Sequence, residues 1–446
     1  MRLENVLFFL KKVIPKPAFV LFQPAYHFVL AFLSAFFYGF PSKKLKVIGI
    51  TGTNGKSTVV FLTEKVLENA GKKVGCVSSF KFKIGKREWQ NRLKMTLPGR
   101  FKLQKMLREM VNEKCEYAVI EVTSEGIKQY RTRFIDFDIA VFTNLTPEHI
   151  DSHRGFENYK KAKGELFRSS KRLIINLDDK HRDYFLSFPA EEKYGYGINI
   201  SRNKLRSDMK DLIIAKDIKV TKNGVSFKVK DTYFNLKLLG EFNIYNCLAA
   251  ISVGLSEGIP LRIIKKALEK VKSIPGRMEI VLETPKTIVD YAHTPDALKK
   301  VYKISSKFKS KNSKLICVLG SAGGGRDKWK RRELGKIAKE YCDCIILTNE
   351  DPYDENPLGI IKDIEKGLRN YLNLVGSSSN LLYKILDRRK AIRKALKLAK
   401  EKDVIIITGK GCEPWMCVKN NKKIPWDDRK IAREEYYKIL NSTAKH

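Results

Sequence analysis

Residues 46–69 constrain this chain more than any other stretch. Lys46–Ile50 is a short apolar, β-rich run. Thr51-Gly52-Thr53-Asn54-Gly55-Lys56-Ser57-Thr58 follows, and a helical pattern then continues to about Asn69. A strand that turns through glycines into a helix points successive backbone N–H groups and the helix N-terminus at one spot, which makes a phosphate cradle. In such a loop Lys56 reaches the β- and γ-phosphates of a nucleotide, and the Ser57 hydroxyl sits on Mg²⁺. The general motif has a glycine where Ile50 stands here; Gly49 and Gly52 bracket that place instead. Gly52, Thr53, Asn54, Gly55, Lys56, Ser57 and Thr58 are therefore the candidate ATP-binding residues. The loop identifies an ATPase- or kinase-type site and leaves the reaction open.

The rest of the chain alternates in the same manner. Residues 74–77, 117–122, 138–145 and 171–177 read as buried strands separated by helical stretches, which predicts a mostly parallel α/β sheet. Residues 194–240 alternate over short segments with Gly and Asn turns and read as a β-rich insert. A helix pair (243–256 and 261–271) leads to Ile274-Pro275-Gly276-Arg277-Met278-Glu279, after which a second α/β alternation begins. The expected organisation is a segment 1–43, a central ATP-binding unit 44–275 and a C-terminal Rossmann-like unit 276–446.

Between Lys16 and Lys43 lie 26 residues without a formal charge, rich in Phe. Pro24 is expected to break this run and leave Ala25–Phe40. Sixteen residues are borderline for spanning, since a spanning helix takes about 20, and long enough for lying in an interface. Lys11, Lys12 and Lys16 on one side and Lys43, Lys44 and Lys46 on the other give no orientation. A cleaved leader is rejected because an ATP loop, hence a cytosolic one, follows at once. A third reading is an ordinary helix packed on the next unit.

The 446 residues carry 87 Lys+Arg against 49 Asp+Glu, a net charge of +38. That excess suits nucleic acid, nucleotides or an acidic membrane, and a generally basic proteome explains it as well. The eight cysteines form no CxxC pair, so a structural zinc site is not expected, and reduced thiols are the default.

Further residues suggest the chemistry. Glu121 ends a strand, where open α/β sheets bind ligands, and can share Mg²⁺ with Ser57. Asn144, Glu148, His149, Asp151 and His153 follow the next strand, and Lys163 lies on a helix beyond. With GTNGKS, EVTS, TNLTPEHIDSH, YKKAK, NLDD, GEFNIYN, PGRME, DYAHTPDAL, GGGRDKWKR and GKGCE in this order, residues 44–436 resemble a Mur ligase. These are ATP-dependent amide-forming enzymes of peptidoglycan synthesis. The resemblance is greatest to the MurE type, which adds a diamino acid to UDP-N-acetylmuramoyl-L-alanyl-D-glutamate.

The resemblance implies roles. Lys56, Glu121, His149 and Lys163 are the catalytic set. Two Mg²⁺ ions are held by Ser57, Glu121, His149 and a carbamylated Lys163. Asn243 and Asn246 lie on the adenine side. Arg277, Asp290 and His293 contact ATP from the C-terminal unit. Thr96, Leu97, Pro98, Thr123 and Ser124 line the muramoyl-peptide site. Apart from the resemblance, Arg326 and Lys328 are expected to hold the incoming amino acid's α-carboxylate and Glu413 to receive its amine, with Glu350, Asp351 and Gly409 as further substrate-binding residues. A cytoplasmic monomer is implied, with the muramoyl-peptide precursor and an amino acid as substrates.

Three departures from the family stand out. Where MurE members carry Asp-Asn-Pro-Arg for diaminopimelate, this chain has Glu350-Asp351-Pro352-Tyr353. Without the arginine that clamps a second carboxylate, lysine or another diamino acid is expected. Cys412 stands where the family has His and is expected to be buried and inert; Glu125 also replaces a frequent His. Only 48 residues precede Gly49, too few for the family's UDP-binding domain. Hence residues 18–40 are expected to attach the enzyme to the inner face of the membrane, towards a lipid-linked precursor. The alternatives are a MurT-like or folylpolyglutamate synthetase-like ligase and a basic P-loop protein on nucleic acid. No zinc insert supports the first of these, and no nucleic-acid recognition motif supports the last, so nucleic acid is not an expected partner.

Overall fold

The computed structural model describes residues 16–93, 95–198, 200, 207–368, 381–420 and 422–443. Residues 1–15, with Lys11 and Lys12, the side chains of 16–21, with Phe19, and residues 201–206 of the expected insert lie outside the described residues.

Two sheets organise the chain. The first contains β1 (Lys46–Thr51), β2 (Val74–Val77), β3 (Lys81–Ile84), β4 (Arg87–Gln90), β5 (Tyr117–Glu121), β6 (Ile139–Phe142), β7 (Arg172–Asn176), β8 (Glu192–Ile198), β9 (Asp211–Thr221), β10 (Gly224–Val229) and β11 (Thr232–Leu236). Their order is β11-β10-β9-β8-β7-β6-β1-β5-β2-β3-β4. The run from β9 to β2 is parallel, and an antiparallel pair closes each edge. Continuous apolar strands fit this, because helices cover both faces and each face carries its own core. The expected insert proves to be a continuation: β8 pairs parallel with β7, so residues from 192 onward extend the sheet.

The second sheet holds β12 (Glu279–Glu283), β13 (Lys286–Asp290), β14 (Leu315–Leu319), β15 (Cys344–Leu347), β16 (Leu381–Lys384) and β17 (Val404–Thr408). Its order is β12-β13-β17-β14-β15-β16, parallel except for β12. A hairpin of β18 (Trp415–Val418) and β19 (Lys422–Pro425) follows. Cys317 and Cys342 are joined by a disulfide, contrary to the expected reduced thiols; the other six cysteines form no disulfide and are buried.

Within the N-terminal segment, Lys16–Phe37 is one helix, and Pro24 lies inside it rather than ending it. An internal proline costs a helix roughly 3 kcal/mol, which packing elsewhere can offset. Ala31, Ser34 and Ala35 are buried at helical spacing. Their small side chains let the helix lie close on helix Arg100–Asn112. Arg108 of that helix donates to the Tyr38 and Gly39 carbonyls. Among the described residues no helix is long and apolar enough to cross a membrane.

Candidate active site

β1 lies between β5 and β6, so the C-terminal ends of all three meet at one crevice, the usual ligand position of an open α/β sheet. There the chain leaves β1 through Gly52 and enters helix Lys56–Asn69 at Gly55. Gly55 has φ 85°, and a Cβ there would stand 2.4 Å from Asn246 Oδ1, so this turn requires glycine. Asn246 is held by Asn243, which accepts from its amide at 2.9 Å and donates to the Leu239 carbonyl.

A cleft of about 690 Å³ opens over this loop between the two sheets. Thr53–Thr58, Thr96, Glu121, Thr123, Ser124, His149, Lys163, Asn246, Arg277, Asp290, His293, Arg326, Glu350, Asp351, Gly409 and Glu413 all line it. Five expected residues do not. Gly52 offers only its carbonyl from below. Leu97 and Pro98 are buried beneath Thr96. Asn243 acts on Asn246. Lys328 is exposed at the start of helix Trp329–Tyr341. Lys330, two residues on and so turned by about 200° around the helix, is the buried lysine that enters the cleft.

The charged groups are closely engaged. Lys56 donates to the carbonyls of Gly52 (3.0 Å) and Thr53 (2.7 Å). Lys163 is buried and donates to Gly52 O at 2.8 Å. Burial, then the Lys56 charge, holds its amine well below the ordinary lysine range. Glu121 accepts from Ser79 N at 2.8 Å and Ser79 Oγ at 2.9 Å, and Ser79 Oγ also meets Thr96 Oγ1. His149 has φ 56°, and burial lowers it to about 3, so its imidazole is neutral at physiological pH. Glu148 accepts from Lys330 at 3.2 Å, while its other oxygen is buried without a hydrogen-bond partner.

The second sheet contributes the opposite wall. Arg277 reaches Ser57 Oγ at 3.4 Å and lies over the Tyr291 ring. Asp296 accepts from Asn54, and Asp327 accepts from the N–H groups of Ile150 and Asp151. Both Asp290 oxygens are taken by backbone N–H groups of Met278 and Ala292. Lys410 pairs with Asp351 at 2.8 Å and with Glu413, which also accepts from Tyr291. Glu350 is different: one oxygen has no partner, and burial pushes its carboxyl up to about 7. Cys412 is buried, which pushes its thiol up to about 11, in keeping with an inert role. Glu125 accepts from Ser152 Oγ at 2.6 Å.

These donors fit a nucleotide with Mg²⁺. Asn144 takes the N–H groups of Thr53 and Asn54, which leaves those of the helix start, Gly55–Thr58, to a phosphate, and Glu148 supplies a carboxylate oxygen without a hydrogen-bond partner. Among the described residues no group of three or more His, Cys, Asp or Glu forms a closed metal cage. Mg²⁺ suits an open site because it keeps waters and substrate phosphates among its ligands.

The Mur ligase middle domain model matches residues 50–254, and the Mur ligase glutamate ligase domain model matches residues 276–411. The chain belongs to the Mur ligase family. One relative is the UDP-N-acetylmuramoyl-L-alanyl-D-glutamate–2,6-diaminopimelate ligase of Clostridium botulinum, 39% identical over 418 residues, 91% of this chain and 80% of the relative. A UDP-N-acetylmuramyl-tripeptide synthetase of a Roseiflexus species is 36% identical over 443 residues, 94% and 84% of the two chains. A solved UDP-N-acetylmuramoyl-L-alanyl-D-glutamate–2,6-diaminopimelate ligase is similar with a TM-score of 0.58 and 28% identity, over 89% of this chain and 79% of that one.

Proposed function

We propose that the chain is an ATP-dependent ligase joining a diamino acid to a muramoyl-dipeptide in peptidoglycan precursor synthesis. One observation carries this. The phosphate loop, Glu121, His149 and Lys163 share a single cleft with Arg277, Glu350 and Glu413 of the second sheet. The central unit, 44–275, thus holds the nucleotide, and the unit 276–446 brings the amine.

The acceptor carboxylate attacks the γ-phosphorus. The new O–P bond forms as the β–γ bridging bond breaks, and ADP leaves with the electron pair. The amine then attacks the acyl phosphate carbon, phosphate leaves, and the amine loses a proton. Mg²⁺, when bound, supplies the positive charge that lets two anions approach. In this reading Ser57, Glu121, His149 and Lys163 hold two ions, with Ser79 fixing Glu121. Lys56 leaves its own loop for the γ-phosphate. Lys163 fits carbamylation because burial lowers its basicity, and an unprotonated amine adds CO₂ and gives up a proton to become a carbamate anion. Asn246 borders the adenine, Arg277 the phosphates, and Asp290 shapes the turn beside the ribose. Thr96, Thr123 and Ser124 border the dipeptide. Closure of the second sheet excludes water from the acyl phosphate.

For the amine, the unpaired oxygen of Glu350 is the better receiver, since Glu413 is already committed to Lys410 and Tyr291. The Clostridium botulinum relative is named for 2,6-diaminopimelate, yet Tyr353 stands where an arginine would clamp its second carboxylate. Lysine is therefore the proposed amino acid. An amino-acid panel with ATP and the UDP-muramoyl dipeptide, scored by ADP formation, tests both statements. Faster turnover with diaminopimelate overturns the preference for lysine, and no turnover with any amino acid overturns the assignment. A second reading, a lipid-linked acceptor with the enzyme at a membrane, is favoured by one contact. Phe28 of the N-terminal helix packs on Tyr130 and Phe134, which flank the cleft residue Arg131.

A further inference from the structure

The N-terminal helix has two faces. One, with Ala31, Ser34 and Ala35, is committed to the protein. The other presents Phe22, Val29, Phe32, Leu33, Phe36 and Phe37 to solvent, with Phe36 at 65% and Phe37 at 73% exposure. Lone exposed apolar residues are ordinary, but six on one helix mark a binding surface. The charge around it selects the occupant. No Asp or Glu occurs from residue 16 to 44. Lys43 lies 5.4 Å from the Phe40 ring, which neighbours Phe32, and Arg133 lies 6.0 Å from the Phe28 ring. Aromatic side chains flanked by cations, on a segment that itself carries no Asp or Glu, are complementary to an anionic lipid surface. A second copy would bring the same cations against these.

We infer that helix Lys16–Phe37 lies flat in the headgroup region of an anionic leaflet, with the Phe32–Phe36 face inward and Lys43 and Arg133 on the lipid phosphates. It does not span, because its opposite face is packed on helix Arg100–Asn112. The loop holding Tyr130, Arg131 and Phe134 joins that face to the cleft, so one mouth of the cleft is held at the bilayer. Attachment does not require ligase activity, so its test stands apart from the proposed reaction.

The full chain is floated with vesicles of phosphatidylcholine alone and with phosphatidylglycerol added. Flotation with the anionic vesicles is expected, with partial loss at high salt as screening removes the ionic share. Val29→Asp together with Phe36→Asp is expected to lower the bound fraction at least tenfold while the melting temperature and ADP formation with soluble substrates stay near wild type. Lys43→Gln with Lys44→Gln should weaken binding to anionic vesicles only. No flotation on either vesicle overturns the inference, as does equal flotation of the Asp variant. Sedimentation without lipid completes the test: a wild-type dimer that the Asp variant converts to monomer assigns the face to a second copy and overturns it.

Discussion

Lys163 offers the sharpest test of the site's electrostatics. Its Nζ and that of Lys56 donate to the same Gly52 carbonyl, at 2.8 and 3.0 Å, so the two nitrogens are at most 5.8 Å apart (2.8 plus 3.0). At an effective dielectric of about 20, two like charges at that distance repel by roughly 3 kcal/mol. Burial disfavours the charged amine and so avoids this repulsion; an anion on Lys163 instead attracts Lys56 by a similar amount, a gain of roughly 3 kcal/mol before screening. On the proposed carbamylation, Lys163→Met removes the anion and keeps the shape. It should lower kcat by about 10²–10³-fold, the usual worth of one oriented charge in a closed site, with ATP binding by calorimetry little changed because Lys56 remains. Lys163→Glu keeps an anion and should recover at least tenfold over Lys163→Met. Bicarbonate depletion should slow the wild type and leave Lys163→Glu unaffected. The reasoning is refuted if Lys163→Met stays within threefold of wild type. It is equally refuted if Lys163→Glu is no better than Lys163→Met.

Other outcomes follow from individual contacts. Burial raises Glu350 from 4.5 to about 7, so the folded chain holds this proton more tightly than the unfolded one. Its stabilising share is full below about pH 4.5 and is lost as pH rises through about 7. Glu350→Gln should thus gain up to about 3 kcal/mol over wild type at about pH 8 and nothing at about pH 4, and parallel melts at both values check the sign. Lys330→Met strands the buried Glu148 and should cost about 3–5 kcal/mol, felt as faster hydrogen exchange over residues 148–153. Adding Glu148→Gln should restore most of it, and a cycle showing no coupling refutes the pair. Alkylating the unfolded, unreduced chain should label six of the eight cysteines, sparing Cys317 and Cys342; eight labels by mass would contradict the disulfide.

What was legible in the sequence was local. The phosphate loop depends on backbone geometry over eight residues, and the parallel sheet shows in unbroken apolar strands. Ser79 was not legible, because it meets Glu121 from 42 residues away and carries no pattern of its own. Lys330, Asp327 and Asp296 escaped for the same reason: their partners lie on the other sheet. Lys328 reads as the site lysine and Lys330 does not, because a sequence gives spacing but not which side of a helix start faces inward. Asn243 and Asn246 are one turn apart and read alike, yet only one reaches the cleft. Pro24 does not end its helix, because the proline rule describes isolated helices and this one is packed against Arg100–Asn112.

The seam between the sheets is almost wholly polar. Besides Asn54–Asp296, Ser57–Arg277 and the Asp327 and Lys330 contacts, Gln90 donates to the Cys412 carbonyl and Trp415 to that of Arg92. Among the described residues the apolar clusters cross it only where Leu239 and Phe242 join the second unit's core. Each polar contact is worth about 1 kcal/mol net, since water replaces it on opening. The apolar corner therefore acts as a pivot, and the remainder as a fastening that solvent can undo. Ionic strength then becomes a control on turnover: salt should speed release of ADP and phosphate and delay capture of the amine, leaving the fold of either half untouched.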